Sequence, residues 1–305
     1  MPIDITRLDR SLSGFGTDEG GLFRKGLHVQ VRCFLHLQVA VEESSGGRPV
    51  TPNLNQVYEN IRYIHRDLWD VETLLERIEW TRGLWIEGKI DDDLWSRFTA
   101  LDIDLFHVTI RSLFDYAAAL LRFVSGKPGQ IPSSTDEDLE SGGRVSFEKL
   151  YHWAQKPTVP RRFSPDFVKA IKDCEWFCIL RIVRNAIVHW GGQTHMMFDK
   201  PRIVFQTVKG RDYSQLVNFP EVMYNENVVD FELYAGMIYG YLLSFLEDVG
   251  KLIFNWLSAA DKVDQPLSRS QHPGMMVGRR WIEEIRARAI ESASHSPSEN
   301  SAETA

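Results

Sequence analysis

Residues 53–78 read NLNQVYENIRYIHRDLWDVETLLERI, and the apolar positions Val57, Ile61, Ile64, Leu68, Val71, Leu75 and Ile78 recur in alternating steps of four and three. On a helix of 3.6 residues per turn that spacing makes one continuous stripe, so a helix of about 25 residues with one packing face follows. A second stripe, Leu94, Phe98, Leu101, Leu105 and Val108, runs on through IRSLFDYAAALLRFV and closes at Ser125–Pro128. The two helices are read as antiparallel neighbours in an intramolecular bundle. The same seven-residue repeat is also the mark of a coiled-coil dimer, which the further apolar helices downstream disfavour.

Upstream, GLHVQVRCFLHLQVAVE (26–42) alternates apolar and polar residues from Leu27 to Val41, the period of a strand with one buried face. His28 and His36 fall on its exposed parity. Residues 43–53, ESSGGRPVTPN, break regular structure. Downstream, 126–145 is rich in Gly, Ser, Pro and acid and reads as a mobile excursion. SFEKLYHWAQK (146–156) is a short helix with Ser146 as N-cap, and Ser164-Pro165 opens a helix running to about Trp190. RIVFQTV and SQLVNF flank KGRDY as a hairpin that pairs with the strand at 26–42. A last long helix, about Val228–Ser258, is apolar on more than one face and belongs inside the bundle. Its apolar run, Leu233 to Leu246, is too short to span a bilayer. GRRWIEEIRARAIES (278–292) reads as a basic-faced helix and the last fourteen residues as a disordered tail.

The fold class is therefore mainly α: a helical bundle with a small antiparallel β-sheet formed by an N-terminal strand and a hairpin. Residues 1–52 form the strand segment packed on the main domain. Residues 53–260 form the bundle, with a β-hairpin insertion near 201–223, and 261–305 the basic helix and tail.

With 305 residues, 43% hydrophobic and 11% aromatic, the chain can build a core without disulfides or metal clips. Its three cysteines, Cys33, Cys174 and Cys178, form neither an even framework nor a CxxC pair, and no apolar leader is seen. A reducing, cytoplasmic setting follows, with no membrane partner. A net charge of −7 argues against coating nucleic acid through bulk electrostatics, so any such activity needs a local basic site.

That site is sought in CILRIVRNAIVHWGG, residues 178–192. Arg181, Asn185 and His189 are four residues apart and share a ridge, with Arg184 one position away. The rest is apolar, so these polar groups either line a cleft or need buried partners. Gly191-Gly192 stops the helix just after His189, where the carbonyl end favours imidazolium and burial disfavours it. A histidine that takes and returns a proton beside a guanidinium that neutralises phosphate suffices for metal-free RNA cleavage. The base draws the proton from the ribose 2'-OH, and Arg184 holds the charge that builds on the phosphate oxygens. Asn185 orients the imidazole or a phosphate oxygen.

An Arg followed five positions later by His is expected about 0.7 times by chance in a chain of this composition, so context carries the weight. RNAIVH, with Arg184 and His189 at its ends and Asn185 second, resembles the signature of the HEPN superfamily (higher eukaryotes and prokaryotes nucleotide-binding domains). The resemblance implies a helical bundle that dimerises so that two motifs meet in one cleft. It further implies metal-independent endoribonuclease activity on RNA and roles in toxin–antitoxin or abortive-infection defence, with an antitoxin or defence-system partner. It requires no cofactor. A guanidinium in an apolar bundle needs an acceptor, and related proteins often supply one from the preceding helix. Here Asp115 is placed to reach Arg184 or Arg181.

The alternative is a non-catalytic helical module that binds a partner protein or a nucleotide. A metal site is disfavoured: Cys174 and Cys178 are one turn apart with His189 and His195 following, but a second ligand pair of zinc type is missing. Lys156, Arg161, Arg162, Arg279, Arg280, Arg286 and Arg288 are further, salt-sensitive phosphate contacts at most. Trp153, Trp176 and Trp190 are assigned to the core.

Overall fold

A computed structural model describes residues 3–12, 52–124, 146–157, 164–190, 194–206, 219–225, 228–258 and 276–295. The chain is mainly helical, with a small antiparallel four-stranded sheet. The helices are α1 (Ile5–Leu12), α2 (Pro52–Ile86), α3 (Asp92–Val124), α4 (Phe147–Ala154), α5 (Pro165–Lys172), α6 (Phe177–Trp190), α7 (Phe231–Ser258) and α8 (Met276–His295). The strands are β1 (His195–Asp199), β2 (Arg202–Gln206), β3 (Met223–Asn225) and β4 (Val228–Asp230).

Helix α7 organises the rest. Residues 233–247 are buried without a break, so no face of that stretch is left for solvent and neighbours surround it. Two of those neighbours approach through glycines. A β-carbon on Gly236 would lie 2.3 Å from the backbone oxygen of Trp281 in α8, and one on Gly240 would lie 2.8 Å from Leu8 in α1. Arg10 then fastens α1: its Nε donates to Ser244 Oγ at 2.8 Å and its two terminal nitrogens reach the Asp248 carboxylate at 2.9 and 2.8 Å. Trp281, Ile282 and Ile285 bury α8 in the same core, so the helix that the sequence sets beyond the bundle packs directly on it. Among the described residues no helix is long and apolar enough to cross a membrane.

The α2 stripe behaves as its spacing predicts: Ile61, Ile64, Leu68, Val71, Leu75 and Ile78 are all buried. The side chain of Val57 lies outside the described residues. Helices α2 and α3 are antiparallel, as Trp85 stacks on Trp95 at 3.8 Å, Arg77 Nε bonds Asp102 at 2.9 Å, and Tyr63 stacks on Tyr116 at 5.2 Å. Gly88, in the left-handed region at φ 71°, turns the chain, and Asp91 caps the start of α3 through Leu94 N at 2.7 Å.

On α3 the expected face is corrected. Leu94, Phe98, Leu101 and Leu105 are exposed, and the buried face is Trp95, Thr99, Asp102, Ile103, Phe106, Ile110, Leu113 and Phe114. The helix has two apolar faces, and the one with Trp95, Phe106 and Phe114 offers more area to the core than a row of leucines. Phe114 in turn contacts Phe147, Phe177, Trp176 and Phe245 at 4.8–5.2 Å, joining α3, α4, α6 and α7.

Three further expectations change. The helix opened by Ser164 breaks at 173–176, where short turns let Trp176 and Phe177 drop into the aromatic cluster. Val228 begins a strand, and α7 starts at Phe231 under a cap from Asp230 to Leu233 N at 3.4 Å. The described sheet, in order β1-β2-β4-β3, is built from 195–206 and 223–230, with Met196 opposite Phe205 and Phe205 opposite Val229. Strands β1, β3 and β4 were not expected, and they correct the pairing: β2, read as half of a hairpin with SQLVNF beside 26–42, has β1 on one side and β4 on the other, while 26–42 and KGRDY lie outside the described residues. Ser146 and Ser164 do cap their helices.

Gly236→Ala is expected to lower stability by about 3 kcal/mol, because the new methyl meets backbone that cannot rotate away. Gly83, with nothing within 4 Å of its missing β-carbon, is the control: Gly83→Ala should add about 0.5–1 kcal/mol through helix propensity. Urea unfolding of both variants checks the contrast.

Candidate functional site

Over 177–185, helix α6 has a buried face and a half-buried one. Phe177, Ile179, Leu180 and Val183 are buried, whereas Arg181, Arg184 and Asn185 are half-buried. The first half is held from two helices, α3 and α4. Arg111 of α3 lies 4.9 Å over the Phe177 ring, and its Nη1 donates to Asp115 Oδ1 at 2.6 Å. The same Asp115 oxygen accepts from Phe147 N at 3.1 Å, satisfying an amide at the start of α4. From α4, Glu148 pairs with Arg181. These bonds fix α6 against α3 and α4.

This network corrects the expected role of Asp115. It contacts neither Arg181 nor Arg184: Arg111, one helical turn away on α3, takes its carboxylate, and Arg181 turns to Glu148 instead. A pair at i and i+4 needs no tertiary placement to form, so the local partner wins. Arg181 is thereby committed to holding the helix.

Arg184 and Asn185 are the motif residues whose side chains are described. Arg184 Nη1 donates to Asn185 Oδ1 at 3.2 Å, so the amide presents its oxygen to the guanidinium and orients it. His189 lies on the same helix, about 7.5 Å further along the axis at 1.5 Å per residue. The side chains of His189 and Trp190 and the two glycines after them lie outside the described residues.

Other titratable groups singled out by the sequence are structural. Cys174 is buried and its thiol donates to the Ala170 carbonyl at 3.4 Å; burial pushes its pKa well up, which removes it as a nucleophile. Cys178 is raised too, mainly by burial. No cluster of three His, Cys, Asp or Glu side chains suited to a metal occurs among the described residues. Trp153 and Trp176 are buried as expected. The basic residues of α8 are largely used internally: Arg279 pairs with Glu283, Arg280 with Glu79 of α2 at 2.9 Å, and Arg286 with Asp9 of α1. A cavity of about 520 Å³ between α1, α5 and α7 is lined by charges already matched, Arg10 with Asp248 and Lys169 with Asp173, and includes no motif residue.

One buried histidine escaped the sequence reading. His107 is fully enclosed in α3; its Nδ1–H donates to the Ile103 carbonyl at 2.7 Å and its Nε2 accepts from the Tyr234 hydroxyl of α7 at 3.0 Å. Burial drives its pKa down to about 4. It is a neutral strut between α3 and α7. Its signal was its position one turn after Ile103, on the face that the wrong stripe left out.

No family model matches this chain, and no curated protein and no solved structure matches it.

Two outcomes follow. Asp115→Ala removes both an ion pair and the acceptor for Phe147 N, and should cost about 1–2 kcal/mol in urea unfolding. For His107 the folded pKa lies below the unfolded value of 6.5, so its contribution is complete above 6.5 and is lost as pH falls toward 4. Glu72 and Glu232, raised to about 7 chiefly by burial, work in the opposite sense, favouring the fold as pH drops from 7 toward 4.5. Between pH 7 and 4.5 the wild type should therefore lose about 2 kcal/mol more stability than His107→Gln, measured by urea unfolding at both pH values.

Proposed function

We propose that this chain is a metal-independent endoribonuclease of the HEPN kind, with Arg184, Asn185 and His189 as its catalytic residues. The observation that supports the reading is the pairing on α6. Phe177, Ile179, Leu180 and Val183 are taken into the core and Arg181 is spent on Glu148, while Arg184 is half-buried and donates to Asn185, about one and a half turns before His189.

In this mechanism an RNA phosphodiester lies against the Arg184 guanidinium, which offers paired N–H donors to its non-bridging oxygens. His189 accepts the proton of the adjacent 2'-hydroxyl as that oxygen forms a bond to phosphorus. The bond from phosphorus to the 5'-oxygen breaks, and His189 returns the proton to the departing oxygen. The products are a 2',3'-cyclic phosphate and a 5'-hydroxyl. Arg184 stabilises the charge that peaks on the phosphoryl oxygens between these two events. The same resemblance implies a role in toxin–antitoxin or phage defence as a homodimer controlled by an antitoxin or other defence partner, and the cysteine usage adds a cytoplasmic setting.

The test is single-turnover incubation of the full chain with a long unstructured RNA in excess chelator. Cleavage is expected in the wild type, with His189→Ala and Arg184→Ala each slower by at least about 100-fold. DNA of the same sequence should stay intact. Equal cleavage by His189→Ala and wild type would contradict the assignment, as would a role confined to binding a partner protein or nucleotide.

A further inference from the structure

The α3 stripe that the core did not use remains to be accounted for. Leu94, Phe98, Leu101 and Leu105 are 40%, 48%, 56% and 40% exposed, while Ile103 and Phe106 on the same helix are fully buried. Single exposed leucines are ordinary; four large apolar residues in unbroken four-three register along one helix face mark an interaction surface. Val108, half-buried, adds a further step. On the adjacent α2, Trp69 and Trp80 are exposed as well.

The register restricts what can cover this face. Alternating steps of four and three are those of a coiled-coil seam, with Phe98 and Leu105 in one core position and Leu94, Leu101 and Val108 in the other. A helix bearing the same spacing fills it best. The residues bordering the seam on the side away from α2 then choose among such helices. They are Arg97 and Asp104, seven residues apart and opposite in charge. Among the described residues Arg97 pairs with Asp93 alone, one turn earlier on the exposed surface, at 2.9 Å. Asp104 accepts from Thr194 Oγ1 at 2.7 Å and has no cation partner among the described residues.

We propose that two copies of this chain pair through this face, with their α3 helices antiparallel about a two-fold axis. In antiparallel pairing, border positions of the same kind meet across the seam. Phe98 then packs on the partner's Leu101, Leu94 on the partner's Leu105, and Arg97 comes beside the partner's Asp104, with each contact made twice by symmetry. Parallel pairing would instead direct Arg97 toward the partner's Asp102. In each copy that carboxylate is already held by Arg77, on the side that α2 covers. The pairing rests on the burial pattern of α3 and not on the nuclease assignment.

Sedimentation equilibrium of the full chain at micromolar concentration tests it, with far-UV circular dichroism and thermal melting confirming the fold. A dimer is expected. Leu101→Glu, at an exposed position, should weaken it at least tenfold without loss of helix content. Arg97→Asp and Asp104→Arg should each weaken it about fivefold, and the double exchange should restore most of the loss. A monomeric wild type would overturn the proposal, as would a Leu101→Glu dimer as tight as wild type or a double exchange no tighter than either single. RNA cleavage is a separate readout: a monomer that still cleaves overturns the pairing and the homodimer but leaves the catalytic residues standing, and a dimer that does not cleave overturns the catalytic assignment alone.

Discussion

A helix buried on every side is the constraint from which the rest of this structure follows. Between residues 233 and 247, α7 has no solvent face, so each of its backbone and side-chain polar groups needs a partner inside the protein. The structure supplies them. Tyr234 bonds His107, Tyr241 accepts from Asp4 N, Ser244 accepts from Arg10, and Glu247 takes Lys251 at 2.7 Å. Gly236 and Gly240, one turn apart, remove the side chains that would otherwise hold α8 and α1 away. A central helix that must be enclosed thus recruits both ends of the described chain.

The same constraint places the candidate site. Phe245 of α7 is part of the aromatic cluster that takes in Phe177 and Trp176, and this draws the beginning of α6 inward. Asp115 and Glu148 then lock that end against α3 and α4. Arg184 and Asn185, further along the helix, are half-buried and joined by one hydrogen bond. The proposed phosphate contact needs a guanidinium rigid enough to aim yet open enough to be reached, and a half-buried Arg184 on an anchored helix is compatible with both requirements.

The sequence was most legible where one force acted alone. The α2 stripe is a single apolar face and lies in the core; α7 is apolar all round and is enclosed; Ser146 and Ser164 are local caps and form as caps. It failed where two solutions had similar local merit. On α3, two apolar faces compete, and only the volume beside α7 and α2 selects the aromatic one. For Asp115, the motif arginines on another helix compete with Arg111 one turn away, and the local pair, which needs no docking, wins. Strand β1 was missed because HMMFD alternates poorly, its burial being set by α3 beneath it and by β2 beside it. Of the candidate site, the adjacency of Arg184 and Asn185 in sequence leads directly to their hydrogen bond, whereas the pairing of Arg181 with Glu148 depends on how α4 packs and could not be read from spacing.

The face that the core left unused is as informative as the one it chose. A seam in regular register is costly to expose, and among the described residues Leu94, Phe98, Leu101 and Leu105 are left open to solvent. The central chemical claim, attack by the ribose 2'-hydroxyl at Arg184 and His189 without metal, is tested most directly by identifying the ends of the RNA fragments by mass spectrometry after digestion in chelator. The account predicts 2',3'-cyclic phosphate, or the phosphate from its opening, paired with 5'-hydroxyl. Fragments ending in 3'-hydroxyl and 5'-phosphate, or no fragments until a divalent metal is added, would contradict it.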